Sequence, residues 1–134
     1  MNDRDTPNNF ARRYTAAWCS KDPVSVAAFF ATDGSLKVND AEPAVGTAAI
    51  TEVARGFMTS FPDLELLMDA LEPRGDRLLY HWTLIGTNKG SGGTGQKVRI
   101  SGYEDWQLSD EGLISESLGH FDEVEYQRQL EHGY

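Results

Sequence analysis

The side chains best able to move protons fall in the last third of the chain, where Glu104, Glu116, His120 and Asp122 are interleaved with Val98, Ile100, Trp106, Ile114 and Leu118. Ser109-Asp110-Glu111-Gly112 suits a type I turn, with serine first and a glycine fourth that can take the left-handed conformation of a G1 bulge. With that turn Ser109 pairs with Leu113, Trp106 faces Glu116, Glu104 faces Leu118 and Ile100 approaches Asp122. Cross-strand partners point to the same side of a sheet. One face therefore collects Val98, Ile100, Glu104, Trp106, Ile114, Glu116, Leu118, His120 and Asp122, and it is apolar enough to turn toward a core. The other collects Lys97, Arg99, Ser101, Tyr103, Asp105 and Gln107 with Ser115 and Ser117. A two-residue turn at Glu111-Gly112 would slip the register by one and dissolve this grouping.

A carboxylate on an apolar face is costly unless it is paired or kept neutral. Desolvation should raise the pKa of Asp122 or Glu104 toward the range useful to a general base or acid. The alternative for Glu104 and Glu116 is a place near the sheet edge, solvated or bonded to a helix terminus. His81, His120 and His132 are scattered, with no His-x-His or Cys-x-x-Cys spacing, so no metal site is expected. The segment Gly90-Ser91-Gly92-Gly93-Thr94-Gly95 fits the dinucleotide pattern GxGxxG, but that pattern holds a pyrophosphate only between a strand and a helix. Here two strands flank it, and a hairpin loop, or a pocket lid, is the expectation.

The elements that must position these groups are legible. Thr6-Pro7 and Asp22-Pro23 read as N-cap and first helical residue of two helices. Phe10, Tyr14, Ala17 and Trp18 form a buried stripe on the first; Val26, Ala27, Phe29 and Phe30 lie on the second, which is expected to stop near Asp33-Gly34. A short extended piece over 36–39 follows. Thr47 opens a third helix with Ile50, Val53, Ala54, Phe57, Met58 and Phe61, ended by Pro62. Beyond Asp63 the period becomes two, giving strands over 64–70, 77–87, 97–108 and 113–121, then a short helix over 122–130. Helices followed by antiparallel strands indicate an α+β fold in a single domain, residues 1–134.

Bulk properties narrow the function classes. The chain has 134 residues and a formal net charge of −9, which disfavours a phosphate-backbone partner, so no nucleic acid is expected. No apolar run approaches the ~20 residues of a membrane span, and the N-terminus lacks the apolar core of a signal peptide. The single cysteine, Cys19, allows no internal disulfide and suits a reducing cytoplasm.

Several segments, taken in order, resemble the SnoaL-like polyketide cyclases of the nuclear transport factor 2-like superfamily. They are Tyr14, Asp22-Pro23, Phe30-Ala31-Thr32-Asp33-Gly34, Gly46-Thr47, Phe61-Pro62-Asp63-Leu64, His81-Trp82-Thr83, Gly86-Thr87, Thr94-Gly95, Gly112-Leu113-Ile114, Glu116, Asp122 and Gln129-Leu130. The resemblance spans nearly the whole chain. It implies a cone-shaped, curved antiparallel sheet covered by three N-terminal helices and enclosing one pocket. It implies ring closure by aldol condensation, or isomerisation, in which a pocket aspartate removes a proton α to a carbonyl, with no metal and no nucleotide cofactor. Asp122 matches the late-strand aspartate, with His81, His120 or Tyr14 as donor to the developing enolate and Glu104 as a further acid/base candidate. Asp40 is another superfamily-like position, in a stretch that reads as a solvated loop. The sequence departs from the pattern in carrying Glu104 and Trp106 where a pocket histidine would be sought, and Leu118 where many members have tryptophan. Trp18, Phe29, Phe57, Phe61, Trp82 and Trp106 are the candidate pocket aromatics. They would receive a small hydrophobic or ketone-bearing molecule, whether the chain is an enzyme or a non-catalytic binding module. The resemblance also implies a homodimer through the outer sheet face, where the sequence places Phe121, Tyr103 and Leu113.

Overall fold

The computed structural model describes residues 7–90 and 92–134. Thr6, the expected cap of the first helix, and Ser91 of the glycine-rich segment lie outside the described residues. Helix α1, Pro7–Cys19, buries Phe10, Ala11, Tyr14, Ala17 and Trp18 on one side. Helix α2, Pro23–Ala27, starts where Asp22 accepts a hydrogen bond from the Val24 amide, as the Asp-Pro signal predicts.

Helix α2 is shorter than its sequence suggests. Phe30, expected to be helical, instead opens strand β1, Phe30–Val38, and lies opposite Ile114 of strand β6, Ile114–Phe121. Pairing with a distant strand outweighs the local helical pattern, because it buries Phe30 and Leu36 on the sheet's inner face. After the short strand β2, Ala44–Val45, helix α3 runs Thr47–Ser60. Strands β3, Glu65–Arg74, β4, Arg77–Thr87, and β5, Lys97–Leu108, precede β6, and helix α4, Glu123–His132, follows it. The strand order is β2-β1-β6-β5-β4-β3. The expected antiparallel sheet is therefore mixed, since β1 and β6 run parallel while the other neighbours are antiparallel. The described residues form an α+β fold, a six-stranded curved open sheet with four helices.

The Ser109–Gly112 turn forms as read: the Gly112 amide donates to the Ser109 carbonyl, Ser109 pairs back to Leu113, and Gly112 has φ +81°. The register beyond it does not hold. Leu108 lies opposite Ile114, but Gln107 lies opposite Glu116, so Ser115 is an extra residue in β6. Its hydroxyl donates to the Gln107 carbonyl at 2.9 Å. This bulge turns every later β6 side chain to the other face. Ser117, Gly119 and Phe121 point inward, while Glu116, Leu118 and His120 point outward with Tyr103 and Asp105. The expected inner face is thus right for Val98, Ile100, Glu104, Trp106 and Ile114, and reversed for Glu116, Leu118 and His120. Phe121, expected on the outer face, lies on the inner one.

The glycine-rich segment connects β4 to β5 as a loop organised by Asn88, whose side-chain oxygen accepts from the Thr94 amide at 2.8 Å. Gly90 passes so close to the Thr59 carbonyl that a Cβ there would lie 2.3 Å from it. The loop packs on the end of α3, and none of its described residues lines the central cavity described below.

Candidate functional site

Glu104 lies on β5 between Tyr80 of β4 and Gly119 of β6. Its side chain is turned inward and only 8% exposed. Three neutral donors from three elements converge on its carboxyl group. The Trp106 indole N–H donates to Oε1 at 2.9 Å and the Ser117 hydroxyl donates to the same oxygen at 2.8 Å. The Tyr14 hydroxyl, on α1, lies 3.1 Å from both oxygens. Oε1 thus takes two of these bonds, and the Tyr14 hydroxyl is the donor that also reaches Oε2. Burial pushes the Glu104 carboxyl above the ordinary carboxylate range, partly offset by the bonds from Trp106, Ser117 and Tyr14. Burial first, and the Glu104 charge second, push the Tyr14 phenol well above its ordinary value, so it stays a neutral donor.

The donors are themselves fixed by packing. Tyr80 stacks on Trp106, centroids 4.8 Å apart, and its hydroxyl bonds the Thr15 hydroxyl on α1. Tyr14 meets Trp106, Tyr80 and Phe29 edge-on. Such aromatic pairs prefer these offset and T-shaped arrangements, which hold the rings' polar ends in place.

Glu104 also lines a cavity of about 60 Å³, the space open to the centre of a water molecule, between the sheet and helices α1, α3 and α4. Its walls include Trp18, Phe57, Leu66, Trp82, Phe121 and Tyr126. Among the described residues Glu104 is the one carboxyl group that lines it, and no Lys, Arg or His does. Trp18 and Trp82 also line it, and their indole nitrogens are buried outside hydrogen-bond geometry with any acceptor among the described residues. Trp18 is near enough to the Tyr14 oxygen to favour its charge, yet does not reach hydrogen-bond geometry. Gly119, which carries no side chain, leaves space beside the Glu104 stem.

The other expected residues are placed differently. Asp122 is exposed and caps α4, its Oδ1 accepting from the Glu125 amide at 3.0 Å. His81 is on the outer sheet face with Nε2 3.3 Å from Glu72, and His120 is exposed there, its ring 4.9 Å from that of Tyr103. None of the three borders the cavity. Glu116 is also outside, bonded to Arg77 at 3.1 Å, and Asp40 is exposed. Of the aromatic set, Trp18, Phe57 and Trp82 line the cavity. Trp106 supports Glu104, Phe61 is core against Gly86, and Phe29 borders a separate surface groove. Sequence reasoning misplaced Ser117 and Phe121 and passed over Tyr126 and Gly119. The available signal was chemical: a slip of one residue exchanges Glu116, Leu118 and His120 for Ser117, Gly119 and Phe121 on the buried face. Among the described residues no group of three or more His, Cys, Asp or Glu side chains could hold a metal ion, and no helix is long and apolar enough to cross a membrane.

A curved mixed sheet closing on helices around a cavity defines a nuclear transport factor 2-like α+β protein. The SnoaL-like polyketide cyclase family matches residues 8–130, and the chain belongs to that family. Membership makes it a protein of cyclase-like kind, in a family that binds small-molecule substrates. Among solved structures it is similar to a hypothetical protein with a ketosteroid isomerase-like fold from Catenulispora acidiphila, crystallised with trimethylamine, at 14% identity and TM-score 0.80 over 92% of this chain and 93% of that one. TsrD from Streptomyces laurentii is 20% identical at TM-score 0.80, over 97% and 98% of the two chains. SalBIII, an epoxide hydrolase/cyclase-like enzyme of pyran ring formation in salinomycin, is 16% identical at TM-score 0.76, over 92% and 96%. These likenesses show the fold. No curated protein matches the sequence.

Proposed function

We propose that the chain is an acid/base enzyme for a small carbonyl compound, with Glu104 as the proton-transfer group. The observation that carries this reading is the Glu104 carboxyl itself. It is buried in an apolar cavity wall, with Oε1 held by Trp106 and Ser117 and with the Tyr14 hydroxyl 3.1 Å from Oε2. In the ionised form Oε2 takes a proton from the carbon α to the carbonyl, and the C–H electron pair becomes the enolate. The same proton then returns to another carbon, giving isomerisation, or the enolate carbon attacks a second carbonyl and the new alkoxide takes the proton, giving aldol ring closure. Tyr14, Trp106 and Ser117 are positioning residues that fix the carboxyl's orientation and tune its affinity for the proton.

The test is solvent deuterium incorporation at the α-carbon of a panel of ketones and poly-β-ketones, followed by NMR. A general base contributes about 10²–10⁴-fold in rate, so Glu104→Gln is expected to slow exchange by that factor. Exchange at the wild-type rate in that variant would remove Glu104 from the mechanism. A second reading, a non-catalytic binding module, is favoured by the largely apolar cavity lining, and saturable ketone binding with no exchange identifies it.

We further infer a homodimer through the sheet face opposite the cavity, where Tyr103 and the ion pairs of Arg77 with Asp105 and Glu116 lie. Light scattering at micromolar concentration is expected to give twice the 14.9 kDa chain mass. A monomer there contradicts it.

A further inference from the structure

The cavity beside Glu104 has a buried end and an end toward solvent. Trp18, Leu66, Trp82, Leu84, Ile100 and Glu104 are buried, whereas Val53, Phe57, Phe121 and Tyr126 are partly exposed. The approach from solvent therefore runs between α3, which carries Val53 and Phe57, and α4, which carries Tyr126. These two helices are held differently. Helix α3 buries Ile50, Ala54 and Met58. In helix α4, all of whose residues are described, Gln129 alone is buried, while Tyr126 and Leu130 are half-buried. An element with little buried apolar surface opens at a lower free energy than the core does.

The bonds that hold α4 to the sheet are grouped at its two ends. At the first, Asn39 accepts from the Phe121 amide at 2.9 Å and donates to Glu123 at 3.1 Å. Its own amide donates to the Gly119 carbonyl at 2.8 Å. At the second, α4 meets an open strand edge. The pairing of β5 with β6 ends at Gly102, opposite Phe121, so among the described residues 97–101 have a strand neighbour on the β4 side only. The Arg99 amide donates instead to Oε1 of Gln129 at 2.7 Å, and the Tyr134 amide donates to the Lys97 carbonyl at 2.9 Å. Gln96 adds a longer bond, 3.4 Å, to the Glu131 carbonyl. The Gln129 side chain is itself oriented by the bond from its Nε2 to Glu125 at 2.8 Å.

We propose that α4 is the gate of the Glu104 cavity and that Gln129 is its latch. The helix pivots at the Phe121–Asp122 junction, its far end leaves the β5 edge, and Tyr126 is drawn from the cavity mouth. The freed Arg99 amide and Lys97 carbonyl pass to water, so opening strands no buried polar atom. A lid of this kind admits a ligand and then shields the carboxyl group from water, a role that rests on the reading that the Glu104 cavity takes a ligand.

The experiment labels a cavity thiol in the full chain. Leu84→Cys is made together with Cys19→Ser, and its reaction with methyl methanethiosulfonate is followed by mass spectrometry. Ile100→Cys takes its place if that variant does not fold. The labelling rate is expected to depend on urea far less steeply than global unfolding does, and the amides of residues 126–132 to exchange with solvent faster than that of Ala54 in α3. Gln129→Ala is expected to speed both labelling and α4 amide exchange about two- to tenfold, the range for loss of one hydrogen bond. Val26→Ala removes core packing outside the cavity. It should lower global stability and leave both rates unchanged, because α4 opens with that packing intact. The gate is overturned if labelling is no faster in Gln129→Ala, if Val26→Ala speeds it equally, or if its urea dependence matches that of global unfolding. Labelling that behaves as expected, with no α-proton exchange in any ketone, leaves the gate standing and removes the catalytic reading of Glu104. Exchange of α-protons with labelling unaltered by Gln129→Ala does the reverse.

Discussion

The Tyr14 hydroxyl lies 3.1 Å from both oxygens of Glu104, a pair separated by 90 positions in the chain. This contact joins the first helix to the middle of the sheet inside the core. It supplies a hydrogen bond to a carboxyl group that has no cation beside it among the described residues, so its removal should be read in the proton affinity of Glu104 as well as in stability. Tyr14→Phe keeps the ring packing and deletes one donor. A bond to a charged group contributes about 1.5–3 kcal/mol and a neutral one about 1 kcal/mol. Urea denaturation at neutral pH is expected to show a loss in that range. With one donor fewer the Glu104 pKa rises further, so the acidic limb of the exchange-rate profile should move to higher pH. A profile that does not move would leave Tyr14 with a packing role only.

Glu104 should make its own signature in stability against pH. Its folded pKa is raised by burial, so the folded state holds the proton more tightly than the unfolded chain does. The resulting stabilisation is present below the unfolded carboxyl pKa and is lost as pH rises through the folded value. Glu104→Gln removes this dependence while its amide can still accept from Trp106 and Ser117. The stability of the variant minus that of the wild type is therefore expected to increase from about pH 4.5 upward and then level off above the folded pKa. A flat or falling difference curve from chemical denaturation contradicts the raised pKa.

Asp122 offers a separation of structural from chemical roles. It caps α4 through the Glu125 amide, and replacing an N-cap aspartate by alanine costs about 1 kcal/mol. Asp122→Ala should lose that amount in urea denaturation, and Asp122→Asn, which caps nearly as well, should not. Both are expected to retain α-proton exchange. Exchange abolished in Asp122→Asn would transfer the base role from Glu104 to Asp122.

Two glycines should respond to alanine in opposite directions. A Cβ at Gly102 would lie 2.4 Å from the His120 carbonyl and 2.8 Å from Cζ2 of Trp82. Gly102→Ala is expected to cost about 1–3 kcal/mol and to shift the Trp82 indole resonance. A Cβ at Gly56, inside α3, would meet nothing within 4 Å. Gly56→Ala should raise stability by about 0.5–1 kcal/mol through the helix propensity of alanine. Equal responses in thermal denaturation would refute the assigned packing at Gly102.

Much of the architecture was present in local pattern. The Asp22-Pro23 start, the apolar series from Ile50 to Met58 and the limits of strands Arg77–Thr87 and Lys97–Leu108 follow from periodicity and turn chemistry that operate over a few residues. The inward set Glu104 and Trp106 followed from the same alternation, as did burial of Tyr14 and Trp18 on one helical stripe. What lay outside local pattern was decided by pairing between distant segments. Phe30 left its helix because β6 offered a parallel partner. Ser115 bulged, its hydroxyl bonding Gln107, and that single residue sent His120 outward and brought Ser117 under Glu104. A period of two specifies which residues alternate, but the starting face is set by the partner strand, and one inserted residue inverts it. The residue types for proton chemistry and the inward turn of Glu104 were thus fixed in the sequence, and only the folded sheet withdrew Glu116, His120 and Asp122 from that face.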